Sequence, residues 1–316
     1  MILITMKIWN VLILIVSAIA LTVVSLWVGQ QAYSWLPPQA AAESQLIDDL
    51  FSFLVTLGAF IFFGVTATLM YSVTFHRAGK YDFKDGPAIE GNITLEVVWT
   101  AIPILVVLWI AGYSYQVYEQ MAIRGPMEIV HLHMPMGMES AYAAPMDSST
   151  EPVENIEVNA KQWAWVFRYP NQGVTSTELH LPSNHRVRLA LQSEDVLHGF
   201  YIPAFRLKQD IIPKRTIDFE FTPIRVGKYR LTDSQFSGTY FATMQANVVV
   251  ESPEDYDKWL AQAATQKPTP ASNQAVAEYI QETKERIKTG WATVAPAQPP
   301  VVNYSNSIYE FRLKDE

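Results

Sequence analysis

Five side chains in one short run can hold a metal ion: His131, His133, Met134, Met136 and Met138. Imidazole and thioether donors suit Cu(I) or Cu(II), so a His-x-His pair with alternating Met can bind copper loosely. The run lies in polar sequence with Pro126, Pro135 and Pro145, and a linker of fortuitous composition is the plainer reading. Glu96 stands at the start of an apolar stretch. A carboxylate at a membrane edge can collect protons from water and hand them inward. A Glu in a first helical turn is also favoured by the helix dipole alone. Trp163 and Trp165 are two residues apart, which predicts one shared strand face. His180 and His185 look like ordinary surface residues. The chain has no cysteine, which excludes disulfides, thiolate metal sites, Cys nucleophiles and Cys-linked lipid anchors.

The elements that must position these residues begin in a membrane. The stretches Ile8 to Gly29, Leu50 to Phe75 and Val97 to Tyr118 hold no Lys, Arg, Asp or Glu. Each has at least the roughly 20 residues a helix needs to cross a hydrocarbon core. They lack strand alternation, so helices must satisfy their backbones in lipid. The first stretch, followed by Ala40, Ala41 and Ala42, also has features of a signal segment. A signal core is usually about 7–15 residues, so a retained helix is expected. The loop from Gln30 to Asp49 carries no Lys or Arg, whereas Arg77, Lys80 and Lys84 follow the second stretch. Positive loops stay in the cytoplasm. The N-terminus is therefore inside, and everything after Tyr118 is outside.

Residues 119–152 read as a linker between a membrane anchor, 1–118, and an outer domain, 153–252. In the outer domain Val187, Leu189 and Leu191 alternate with Arg188, Ala190 and Gln192, and Ile217, Phe219 and Phe221 alternate with Asp218 and Glu220. Turn signals at Pro170-Asn171, Pro182-Ser183-Asn184 and Gly227 separate such runs. This pattern predicts an all-β sandwich. Residues 253–316 form a C-terminal extension, with helices expected from Asp255 to Ala264 and from Asn273 to Thr293, then a Pro-rich tail. The net charge is −8 and no basic run is dense, so nucleic acid is not an expected partner.

Four stretches, taken in order, resemble subunit II of the haem–copper terminal oxidases. The segment from Gly91 to Pro103 is similar to the family's entry into its last transmembrane helix, and Gln162 to Pro170 to its aromatic stretch. Ser193 to Pro213 looks like its most distinctive run, and Gly227-Lys228-Tyr229 leads into Asp233 to Met244, where its copper loop belongs. The likeness covers residues 45 to 252 and implies a cupredoxin-like Greek-key sandwich on a helical anchor.

In copper-bearing members two Cys thiolates bridge two copper ions, completed by two His and a Met. Carried onto this chain, the upstream His is His198 and the Met is Met244. The Cys positions hold Asp233 and Ser237, the Glu between them is Gln235, and the loop His is Phe241. The resemblance thus implies a member without its dicopper centre. It also puts in doubt the magnesium site that the Glu helps form in relatives. Two surviving ligands make a weak metal site, so a hydrogen-bonded His198 in a domain interface is expected. The small and aromatic residues from Ser237 to Phe241 resemble quinol-oxidase relatives. Trp163 matches the Trp that receives the electron in cytochrome c oxidases. With no copper behind it, packing is its expected role. Glu96 matches the Glu at the entrance of a proton channel in subunit I.

The resemblance places haem and copper in partner subunit I, where dioxygen is reduced, and no cofactor in this chain. Expected partners are subunit I, subunit III, membrane lipid and a quinol as donor to the complex. The N-terminal helix and the loop before the first strand look most like cyanobacterial alternative respiratory oxidases. The expected site is the plasma or thylakoid membrane, with the outer domain in periplasm or lumen. Two alternatives stand: a cytochrome c-linked oxidase with direct electron entry to subunit I, and a membrane-tethered copper-handling or assembly module using the Met/His run.

Overall fold

A computed structural model describes residues 8–77, 81, 91–121, 153–284 and 293–305. The Met/His run at 131–138, Lys80 and Lys84 lie outside the described residues. The chain forms two compact units, one of residues 1–36 and 47–117 and one of residues 37–46 and 118–316.

The first unit is built on three helices, α1 (Ile8–Gln31), α2 (Glu43–Phe75) and α3 (Ile93–Gln120). All three are long and apolar enough to cross a membrane. Their outward side chains, among them Ile8, Phe62, Leu105 and Trp109, are exposed, as lipid contact requires. The Ser52 hydroxyl donates to the Gly29 carbonyl at 2.9 Å. A Cβ on Gly29 would lie 1.9 Å from Thr56 Oγ1, so only glycine lets α1 and α2 approach this closely. Phe53 joins α2 to α3 through edge contacts with Trp109 and Tyr113, at 5.0 and 5.2 Å between ring centroids. Asn92 caps α3, its side chain accepting from Leu95 N at 3.2 Å.

The second unit is centred on a sandwich of β1 (Glu154–Lys161), β2 (Ala164–Tyr169), β3 (Val174–Ser176), β4 (Leu179–Pro182), β5 (Val187–Ser193), β6 (His198–Ile202), β7 (Leu207–Ile211), β8 (Ile217–Phe221), β9 (Gly227–Asp233) and β10 (Gln245–Glu251). One sheet runs β3-β2-β1-β5-β8 and the other β4-β10-β9-β6-β7. The pairs β1–β5 and β4–β10 are parallel, and the other pairings are antiparallel. Inward residues alternate as expected: Val187, Leu189, Leu191, Ile217, Phe219 and Phe221 are buried.

The segment before α2 packs onto this sandwich. Ala40 N donates to Ala204 O, Ala42 N to Thr222 O, and Ile224 N to Ala40 O, at 2.9 to 3.1 Å. Ala40 and Ala41 have no exposed surface. The alanines that resemble a cleavage motif are thus small because backbone lies against backbone. Glu43 Oε1 pairs with Arg186 at 2.7 Å and Glu43 Oε2 accepts from Thr222 N. The segment between α1 and α2 is thus part of the sandwich unit.

The C-terminal extension belongs to the same unit. Helix α4 (Pro253–Thr265) starts at Ser252, whose hydroxyl accepts from Asp255 N, and lies on β3, β4 and β10. It covers the outer face of β4, so all four residues of that strand are buried. Strand β11 (Thr269–Pro270), helix α5 (Gln274–Lys284) and strand β12 (Val301–Val302) follow, with β11 and β12 antiparallel. The helix expected as far as Thr293 is described only to Lys284, and residues 285–292 lie outside the described residues.

Candidate functional site

Strand β6 brings His198 beside the end of β9, and the loop after β9 folds back over both. His198 is fully buried between two carboxylates. Its Nδ1 lies 2.7 Å from Asp233 Oδ2 and its Nε2 lies 3.0 Å from Asp195 Oδ1. Asp233 is the hub of the loop. Its Oδ1 accepts from Gly199 N and Gln235 N at 2.7 and 3.0 Å, and its Oδ2 accepts from the Ser237 hydroxyl at 2.8 Å. Burial disfavours a charged imidazole, but the bonds to Asp195 and Asp233 outweigh it, so the His198 pKa is raised. Burial likewise opposes the Asp195 charge, yet His198 and the amides of Gln162 and Val196 hold its pKa below the usual value.

Of the positions singled out in the loop, the structure gathers His198, Asp233 and Ser237 into this network. Gln235 points elsewhere, donating to Asp210 Oδ1 at 2.9 Å. Phe241 sits in a 3-10 turn against the exposed Phe236 ring, 5.3 Å away between centroids. Met244 is buried, and its carbonyl accepts from Asp233 N at 3.1 Å. His198 is hydrogen-bonded, but to partners inside the sandwich domain and not across a domain interface. Asp195 was not singled out from the sequence. Its signal is the three-residue spacing to His198, which only the turn before β6 makes meaningful.

Two indoles clamp the loop from the opposite sheet. Trp163 Nε1 donates to Ser237 O and Trp165 Nε1 to Met244 O, both at 3.2 Å. The shared strand face needs correction. Lys161 pairs with Ala164 in the β1–β2 ladder, so the chain reverses at Gln162 and Trp163 and only Trp165 lies within a strand. Both rings are buried, Trp163 at 2% exposure. The Trp163 ring also meets Tyr240 edge-on at 5.1 Å. Gly238 adopts φ +115°, and a Cβ there would lie 2.7 Å from Trp163 Cζ2.

Glu96 lies in the first turn of α3 and is exposed. Its backbone N donates to Asn92 O at 2.9 Å. The side chain reaches back over Gly91, where a Cβ would lie 2.5 Å from Glu96 Oε1.

Comparison with known proteins gives a family for this geometry. Residues 25–117 match the family model described as cytochrome c oxidase subunit II, transmembrane domain. Residues 173–252 match the model described as cytochrome c oxidase subunit II, periplasmic domain. Over 293 residues the chain is 35% identical to cytochrome c oxidase subunit 2 of Synechocystis sp., covering 86% of this chain and 87% of that one. The chain belongs to the oxidase subunit II family. It is also 32% identical to cytochrome c oxidase subunit 2 of Thermostichus vulcanus, over 78% of this chain and 83% of that one. Against quinol oxidase subunit 2 of Bacillus subtilis the identity is 26%, over 78% of this chain and 72% of that one.

As a subunit II, the chain is part of a terminal oxidase, an oxidoreductase complex, with membrane-spanning helices and a periplasmic-type β-domain. Its C-terminal segment from 253 onward lies beyond the matched domain. Under that segment, in β4, this subunit II holds a second buried histidine. His180 is only 3% exposed, which corrects its reading as a surface residue. Its Nδ1 lies 3.1 Å from Glu251 Oε2, and its ring stacks on Trp259 of α4 at 3.8 Å and 6°. Glu178 lies 3.5 Å from its Nε2. The burial comes from α4, which covers β4; a strand pattern read alone assigns His180 to the solvent face.

Proposed function

We propose that this subunit II carries no dicopper centre and serves a complex that takes electrons from a membrane quinol. The observation that carries the reading is Asp233 at the first thiolate position, bonded to His198. The chain has no cysteine, so no thiolate can bridge two copper ions. Both His198 nitrogens face carboxylates, Ser237 donates to Asp233, and Phe241 has no donor atom. This donor set does not fit two bridged copper ions, which need soft sulfur ligands.

In this reading subunit I holds the haems and copper, and the cofactors carry the reduction of dioxygen. The present subunit caps subunit I, and subunit III completes the assembly. Through Glu96 it offers a carboxylate for proton entry at the cytoplasmic edge of α3. Quinol as donor follows from the loss of a relay. The name of the Synechocystis relative favours the competing reading, with cytochrome c as donor.

Oxygen uptake by the purified complex tests this, comparing a reduced quinol with reduced cytochrome c, alongside haem and metal analysis. Turnover with quinol, with one copper per complex, supports the proposal. Turnover with cytochrome c alone, or two further copper ions that stay with this subunit, defeats it.

A further inference from the structure

The C-terminal extension bonds to both sides of Trp163, the position that the resemblance matches to an electron-receiving Trp. Asn273, at the start of α5, donates from Nδ2 to Trp163 O at 3.2 Å. Glu282, at its far end, accepts from the Tyr240 hydroxyl at 2.6 Å, beside the Trp163 ring. From the tail, Ala297 N donates to Gln162 O at 2.7 Å, and Thr293 bonds to Thr239. Both walls of the Trp163 site, the β1–β2 turn and the 237–241 loop, are thus tied to the extension.

The tail is anchored away from that site as well. Asn303 Oδ1 accepts from Thr175 N and Oγ1 at 3.0 and 2.9 Å, and its Nδ2 donates to Gln266 O. Tyr304 N donates to Thr175 O, and the β11–β12 ladder joins both limbs of the extension. Burial and the bond to Glu282 push the Tyr240 phenol up to about 12, so this tether stays protonated at physiological pH.

We propose that residues 273–284 and 293–304 act as a built-in cover over the Trp163 face, occupying the place of a protein electron donor and setting donor class. A specific protein partner needs roughly 800 Å² of surface on each side. With Trp163 2% exposed and its flanking loops bonded to the subunit's own tail, that patch is already filled. The proposal gives a physical reason for the donor class in the preceding reading and rests on it for its biological meaning. The cover itself is a separate matter of packing.

Hydroxyl-radical footprinting of Trp163 in the whole purified complex, read by mass spectrometry, tests the cover. Three forms are compared: intact, ending at Gln266, and full-length with Asn273→Ala and Glu282→Ala. Trp163 is expected to be protected in the intact complex and oxidised several-fold more in the other two. Cytochrome c is expected to co-sediment with the truncated complex and not with the intact one. Equal Trp163 oxidation in all assembled forms overturns the proposal, as does equal cytochrome c binding to intact and truncated complexes. If the truncated form does not assemble, the full-length double variant decides by the footprint. Quinol-driven oxygen uptake, measured on the same intact sample, reports separately on the donor. Its absence sinks the donor reading while the footprint still judges the cover.

Discussion

The Nδ1 of His198 lies 2.7 Å from Oδ2 of Asp233, and neither side chain has exposed surface. A buried imidazole between carboxylates is stable only while every member keeps its partner, because an unpaired buried charge has no water to turn to.

Asp233→Ala is therefore expected to destabilise the outer domain by roughly 3–5 kcal/mol, the usual effect of removing one partner of a buried pair. It also strips acceptors from Gly199 N, Gln235 N and the Ser237 hydroxyl. Asp233→Asn, which keeps one acceptor oxygen, should lose less. Denaturant unfolding of the detergent-solubilised chain measures both, and a loss under about 1 kcal/mol for the alanine variant contradicts the network's role.

Stability should fall as pH rises through the range where His180 loses its proton. Burial lowers its pKa, but the nearby carboxylates of Glu178 and Glu251 outweigh it, so the folded pKa is raised from its ordinary value. The folded state binds this proton more tightly than the unfolded chain. The contribution is fully present below the unfolded value, about 6.5, and disappears as pH passes the raised folded one. Thermal melts between pH 5 and 9 are expected to show a declining midpoint that His180→Gln flattens. A variant with the wild-type slope would remove His180 from the account. His198 acts with the same sign. Asp195 acts with the opposite one, since its lowered pKa gives stability that is lost as pH falls.

Gly238→Ala should destabilise by about 1–3 kcal/mol through overpacking and left-handed backbone strain. The added methyl meets Trp163 Cζ2 at 2.7 Å, a rigid ring rather than a flexible chain end. Unfolding midpoints check this, with Gly173→Ala as the control: its φ is also positive, but its Cβ meets nothing within 4 Å. Equal losses at both sites would assign the effect to backbone alone.

Glu96→Ala should slow oxygen uptake several-fold while the complex still assembles with its haem. Asn92 keeps the helix cap in that variant, so α3 itself is not at risk. Haem content and turnover on the same preparation decide it, and unchanged turnover refutes a proton-entry role.

Much of this protein was legible without coordinates. The absence of Lys, Arg, Asp and Glu over three long stretches leaves lipid-spanning helices as the solution, because only they satisfy their own backbone there. Alternation at Val187–Leu191 and Ile217–Phe221 similarly requires a two-faced sheet. Such periodicities are local, and a local rule can be read from local sequence.

The rest depended on contacts between segments far apart in the chain. His180 reads as a solvent-facing residue until α4, some 80 positions on, lies across β4 and buries it. Ala40 and Ala41 read as small residues after a retained helix, with no stated role, until Ala204 and Pro223 are set against them. Asp233 reads as a lost ligand until folding turns it toward His198, 35 residues earlier. The sequence by itself determined the helices, the sandwich and the missing thiolates, because each is a matter of residue type and spacing. Only the tertiary structure decided which groups surround His198 and which bond to the Trp163 turn, because burial and hydrogen-bond partners belong to pairs of distant residues.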